Sequence, residues 1–116
     1  MDIYHIWCNL KPGVRDLEFV DSARAYLDEL SQRGMVRAYR ITRAKLGLRP
    51  PALREFHLTL EFDDLSQLQS TFDWVASRAD PAESLHHAVN SKVQDVYFAL
   101  YRDFPDKNRI EGKEKF

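Results

Sequence analysis

The chain has 116 residues, 44% hydrophobic and 30% charged, with 17 Lys+Arg against 18 Asp+Glu and a formal net charge of −1. This is the make-up of one globular domain and not of a disordered chain, and it lacks the basic excess of a phosphate-gripping, nucleic-acid-binding domain. The single cysteine, Cys8, excludes an intrachain disulfide and a multi-cysteine zinc site. No stretch reaches the ~18 apolar residues of a membrane span, and the first residues lack a signal-peptide cleavage pattern. Neither nucleic acid nor membrane is expected as a partner, and the expected location is cytoplasmic.

The first ten residues carry Tyr4, Ile6 and Trp7 and read as a strand closed by Lys11-Pro12-Gly13, a turn signal. From Arg15 to Arg33, Leu17, Val20, Ala23, Leu27 and Leu30 recur at spacings of three and four, the stripe of an amphipathic helix. Gly34 follows as a residue able to take positive φ at the helix end. Residues 35–46 shift toward period two and read as a strand, and Pro50-Pro51 make 47–53 a loop. Phe56, Leu58, Leu60 and Phe62 then alternate strictly with polar residues, a strand with one apolar face. Asp63-Asp64 cap a second helix carrying Leu65, Leu68, Phe72, Val75 and Ala79. Pro81 interrupts it, a shorter helical piece runs from Ala82 to Ser91, and Val93–Phe104 is a long strand ended by Pro105.

The order β-α-β-β-α-β specifies an α+β ferredoxin-like sandwich over residues 1–104, with an antiparallel sheet in the order 4-1-3-2, both helices on one face, and a charged tail at 105–116. Tyr4, Ile6, Cys8, Leu10, the four apolar residues of strand three, Val96, Phe98 and Leu100 should face the helices. The other face should then hold Ile3, His5, Trp7, Asn9, Arg37, Tyr39, Ile41, Arg43, His57, Thr59, Glu61, Asp95, Tyr97, Ala99 and Tyr101. So much aromatic and aliphatic surface calls for a cover, which a twofold copy packing its own sheet there supplies. A homodimer, a dimeric α+β barrel, is therefore expected. The alternative is a monomer whose aromatics lie under arginine stems.

The strand Tyr4-His5-Ile6-Trp7, running into Asn9-Leu10-Lys11-Pro12-Gly13-Val14 and a helix, resembles the start of stress-responsive α/β barrel domains and antibiotic-biosynthesis-type monooxygenases, in the dimeric α+β barrel superfamily. The resemblance implies a fold, a dimer and often a cavity, either between helices and sheet or within the barrel. It does not imply one activity, since the superfamily hosts several.

His5, His57 and Glu61 share the face away from the helices and form the candidate catalytic set, an imidazole base with a carboxylate to orient it. Trp7, Asn9, Tyr39, Tyr97 and Tyr101 are the candidate ligand-binding residues around them. The plain structural reading makes both histidines interface residues satisfied by hydrogen bonds. His5, His57 and Glu61 also have the ligand types of a two-His-one-carboxylate metal site, with no spacing motif to support it. His86 or His87 as a haem ligand is implied by the superfamily's haem-degrading branch alone. The run Arg37, Arg40, Arg43, Lys45 and Arg49 suits an anion site or, more simply, an edge strand protected by charge. No Gly-rich phosphate loop, nucleophile elbow or His-Glu-x-x-His motif is present, and neither a metal nor a cofactor is expected. The leading expectation is a barrel that binds a small hydrophobic or aromatic molecule and acts as a cofactor-independent oxygenase or isomerase. The alternative is a non-catalytic dimeric stress-response-type protein.

Overall fold

A computed structural model of the chain describes residues 1–113. Its elements are β1 (Asp2–Leu10), α1 (Asp16–Gln32), β2 (Ala38–Arg43), β3 (Phe56–Phe62), α2 (Leu65–Ala76), α3 (Ala82–Asn90) and β4 (Val93–Arg102). The strands form one antiparallel sheet, β2-β3-β1-β4, which is the expected order read from the other edge. Residues 103–113 form no helix or strand, and the end of the expected tail, 114–116, lies outside the described residues.

Local chemistry sets the helix ends. Gly34 takes φ +70, the Met35 N–H donates to the Leu30 carbonyl at 2.9 Å, and the Gly34 N–H donates to the Ser31 carbonyl at 3.0 Å. This closes the last turn of α1 with a left-handed residue. At the start of α2, Asp64 Oδ1 accepts from the Gln67 N–H at 2.8 Å while Gln67 Oε1 accepts from the Asp63 N–H at 2.6 Å. Each side chain thereby satisfies a backbone donor that the helix leaves free.

The core lies between α1 and the centre of the sheet. Phe19, Ala23, Leu27 and Leu30 of α1 pack on Cys8, Phe56, Leu58, Leu60 and Phe62. Here the stripe differs from the sequence reading: Leu17 is 72% exposed and Phe19 takes the buried place. Two residues turn a helix by about 200°, so the two side chains leave opposite sides of α1. Burial pushes the Cys8 thiol up to about 11, which makes it a packing residue and not a nucleophile.

Strand β2 corrects a second expectation. Tyr39 pairs with Leu60, Ile41 with Leu58 and Arg43 with Phe56, and directly opposed residues share a face. Tyr39, Ile41 and Arg43 therefore lie on the helical side, where the Tyr39 hydroxyl donates to Asp28 at 2.6 Å and Arg43 meets Asp16 at 2.9 Å. Ala38, Arg40 and Thr42 occupy the open face instead. In β4 the pairing slips between Trp7 and Asn9, with Asp95 at φ +55 in the bulge. Beyond it Tyr97, Ala99 and Tyr101 stand opposite Trp7, His5 and Ile3.

Candidate functional site

The open face of the sheet brings two of the candidate residues into contact. His5 and His57 stand on adjacent strands, one step diagonal to each other, with Nδ1 of His5 2.9 Å from Nε2 of His57. One ring donates and the other accepts, so each neutral imidazole satisfies one nitrogen of its neighbour. Trp7, directly opposite His57, lies over that ring with centroids 4.6 Å apart, and Tyr101 meets His5 edge-on at 5.0 Å. Burial lowers the affinity of both imidazoles for a proton, and for His57 the neighbouring His5 lowers it further.

The remaining candidates do not join this pair. The Asn9 amide spans two strands, accepting from the Glu55 N–H at 3.0 Å and donating to Asp95 at 3.2 Å, and so has no bond to either histidine. Tyr97 lies under the Arg54 guanidinium, which sits 4.5 Å from the ring centre and donates to the hydroxyl at 2.9 Å. Glu61 is four residues beyond His57 on the same strand, about 13 Å of extended chain. No hydrogen bond joins Glu61 to an imidazole among the described residues. Nor do any three His, Cys, Asp or Glu side chains among those residues cluster closely enough to hold a metal ion. Tyr39 is on the other side of the sheet altogether. In the basic run, Arg37 is held by Asp63, Arg43 lies between Glu55 and Asp16, and Arg49 donates to the Leu53 carbonyl.

The helical side holds a cavity of about 440 Å³. Tyr4, Ile6, Val96 and Phe98 of the sheet form its floor, with Leu58 and Leu60 at one side. Its roof is Ala23, Tyr26 and Leu27 of α1, Phe72, Val75 and Ala76 of α2, and His86, Val89 and Asn90 of α3. The space exists because α1 packs tightly on β3, whereas α2 and α3 are short and part at residues 77–81. The helical layer thus covers β4 incompletely, and Phe98, which points toward it, stays 62% exposed.

The cavity wall carries few polar groups. The Thr71 hydroxyl is occupied by the Met35 and Gln67 carbonyls, at 2.6 and 2.9 Å. Burial, helped by the nearby Tyr4 phenol, pushes the Tyr26 hydroxyl up to about 12, and burial raises Tyr4 as well. The His86 ring meets the Tyr26 ring at 5.7 Å and 62°, while His87 points to solvent. None of Trp7, Tyr97, Tyr101, His5 and His57 lines this space. Sequence reasoning passed over Tyr26, although its place between Ala23 and Leu30 in the buried stripe was a signal: a phenol among core positions needs a partner or a space.

Comparison with known proteins agrees with this architecture. The whole chain, residues 1–116, matches the model of the family of unknown function DUF6614, and the protein belongs to that family. No curated protein is similar to it. Among solved structures, the Arabidopsis thaliana protein At3g17210 is 11% identical with a TM-score of 0.68, covering 89% of this chain and 95% of its own. A DABB family protein with a ferredoxin-like fold from Mesorhizobium loti is 15% identical with a TM-score of 0.62, covering 88% and 95%. A dimeric ferredoxin-like protein of unknown function from Jannaschia sp. CCS1 is 14% identical with a TM-score of 0.61, covering 89% and 100%. At these identities the likeness shows the ferredoxin-like fold.

Proposed function

We propose that this member of DUF6614 is a homodimer that binds a small, uncharged, largely apolar molecule in the cavity between its helices and its sheet. The observation that carries the reading is the cavity itself, about 440 Å³ with almost wholly apolar walls. That volume falls within the range of small-molecule sites, roughly 300–1,000 Å³. A charged guest would find no fixed counter-charge there, because no Lys, Arg, Asp or Glu lines the space.

The dimer is supported from a different side. Ile3, His5, Trp7, Tyr97 and Tyr101 make an aromatic sheet face whose histidines bond each other, which lowers the polar cost of covering it. Dimeric proteins of this fold supply the precedent. Under this reading the histidine pair belongs to the covered sheet face. The finer expectation, turnover by cofactor-independent oxygenation or isomerisation, needs a proton acceptor at the cavity wall, and His86 is the imidazole positioned there.

Native mass spectrometry of the purified protein tests both halves. The expected result is two chains together, with an added small mass retained from the host or gained on incubation with diphenylmethane. A monomer contradicts the first half, and a dimer that gains no mass under either condition contradicts the second.

A further inference from the structure

The cavity contains two phenols with nothing to bond. Tyr4 on β1 and Tyr26 on α1 face it from the sheet and helix layers. Among the described residues neither hydroxyl has a hydrogen-bond partner, and neither oxygen is sealed from open space. Two other tyrosines of the sheet are bonded, Tyr39 donating to Asp28 and Tyr97 accepting from Arg54, while Tyr101 on the open face makes a ring contact with His5. The ring of Tyr4 is fixed by a stack on Phe98, 5.7 Å between centroids, and an edge contact with Phe72 at 5.3 Å. The ring of Tyr26 is met edge-on by His86. Two rings are thus held in place by apolar and aromatic contacts, while their hydroxyls make no bond within the chain, beside a space whose other walls are mostly apolar apart from Thr71, His86 and Asn90.

A phenol whose proton is retained through the neutral range is a donor, and both of these retain it. A pure hydrocarbon in the cavity would strip water from two donors and return nothing, a loss that polar groups on an apolar wall make large. A carboxylate or phosphate would satisfy them but would bring a charge with no cation to meet it. The guest that suits both constraints is neutral and apolar with an acceptor oxygen.

Building on the cavity reading above, we infer that the cavity selects small apolar molecules bearing a carbonyl oxygen, which the Tyr4 and Tyr26 hydroxyls hold. Neither tyrosine is assigned a chemical step; both bind and orient. The carbonyl would lie on the side of the cavity where β1 faces α1, and the hydrocarbon body would fill the space toward α2 and α3.

Benzophenone and diphenylmethane test this, since they match in shape and differ in the carbonyl. Their binding to the full chain is measured by ligand-observed NMR in the wild type, Tyr26→Phe and Tyr4→Phe. Because the hydroxyls removed bond nothing within the chain, both variants should fold, which a melting curve checks. Each substitution is expected to weaken benzophenone about tenfold and to strengthen diphenylmethane, since it removes a donor that the hydrocarbon strands. Equal weakening of both compounds, or of neither, overturns the inference while leaving the cavity reading intact. If neither compound binds the wild type, the cavity reading itself fails, and the inference with it.

Discussion

The two faces of the sheet are built from the same four strands and treat their polar groups in opposite ways. On the open face the imidazoles of His5 and His57 close on each other at 2.9 Å, Asn9 spans two strands, and Arg54 clips Tyr97. Several polar groups there are paired within the chain, and much of what remains for contact is aromatic surface. On the helical face the packing is dense over β3 and open over β4, and the hydroxyls of Tyr4 and Tyr26 are left without partners. An aromatic surface whose central polar groups bond one another suits being covered by protein. A cavity that has not is ready for a guest that brings the missing acceptor.

The largest effect should come from the dense half of the helical side. Phe62 is fully buried and Phe98 is 62% exposed, although both point toward the helices. Phe62→Ala should cost ~3–5 kcal/mol of unfolding free energy, whereas Phe98→Ala should cost under about 1 kcal/mol, both read by urea titration. Similar costs at the two positions would mean that β4 is as well covered as β3. On the open face, Trp7→Ala should weaken self-association by ~2 kcal/mol or more, as for a central aromatic anchor. Sedimentation over a dilution series would show it, and an unchanged dimer would move the interface elsewhere.

Acid sharpens the contrast further. The folded state holds His5 and His57 below their ordinary value of 6.5. The unfolded chain then binds more protons in that range, so stability is fully present above about pH 6.5 and declines as the pH falls through the folded values. His5→Gln with His57→Gln should flatten that part of the curve of melting temperature against pH. A slope that survives the double replacement would assign it to other groups. The smallest effect is expected at Tyr39, which is on the helical side but outside the cavity. Tyr39→Phe removes an exposed bond to Asp28, should cost about 0.5–1 kcal/mol, and should leave diphenylmethane binding unchanged.

Much of this architecture was legible in the sequence, and its gaps have physical causes. The alternation Phe56-Leu58-Leu60-Phe62 against polar residues is unambiguous, and it placed His57 and Glu61 on the open face. In β2 basic residues stand at both parities, Arg40 on one side and Arg43 on the other, so polarity could not choose the face, and a one-residue slip reverses every side chain. That is why Tyr39 was expected beside His5 and is found against α1. Helical period shows which side of α1 is apolar, but not how far α2 and α3 stand from β4, so a cavity is invisible to it. The contact between His5 and His57 was within reach as a shared face, whereas the diagonal hydrogen bond depends on strand pairing and rotamers. Nothing in the sequence showed that Asn9 would be drawn to Glu55 and Asp95 instead.

The most direct test follows the two faces in one sample. Methyl NMR of the full chain can report Leu58, Val89 and Val96 at the cavity and Ile3 on the open face. Titration with diphenylmethane should shift the cavity methyls and leave Ile3 in place, and dilution should shift Ile3 and leave the cavity methyls in place. Shifts at Ile3 on adding the ligand, with the cavity methyls silent, would contradict the account by putting the small molecule on the face assigned to the second copy.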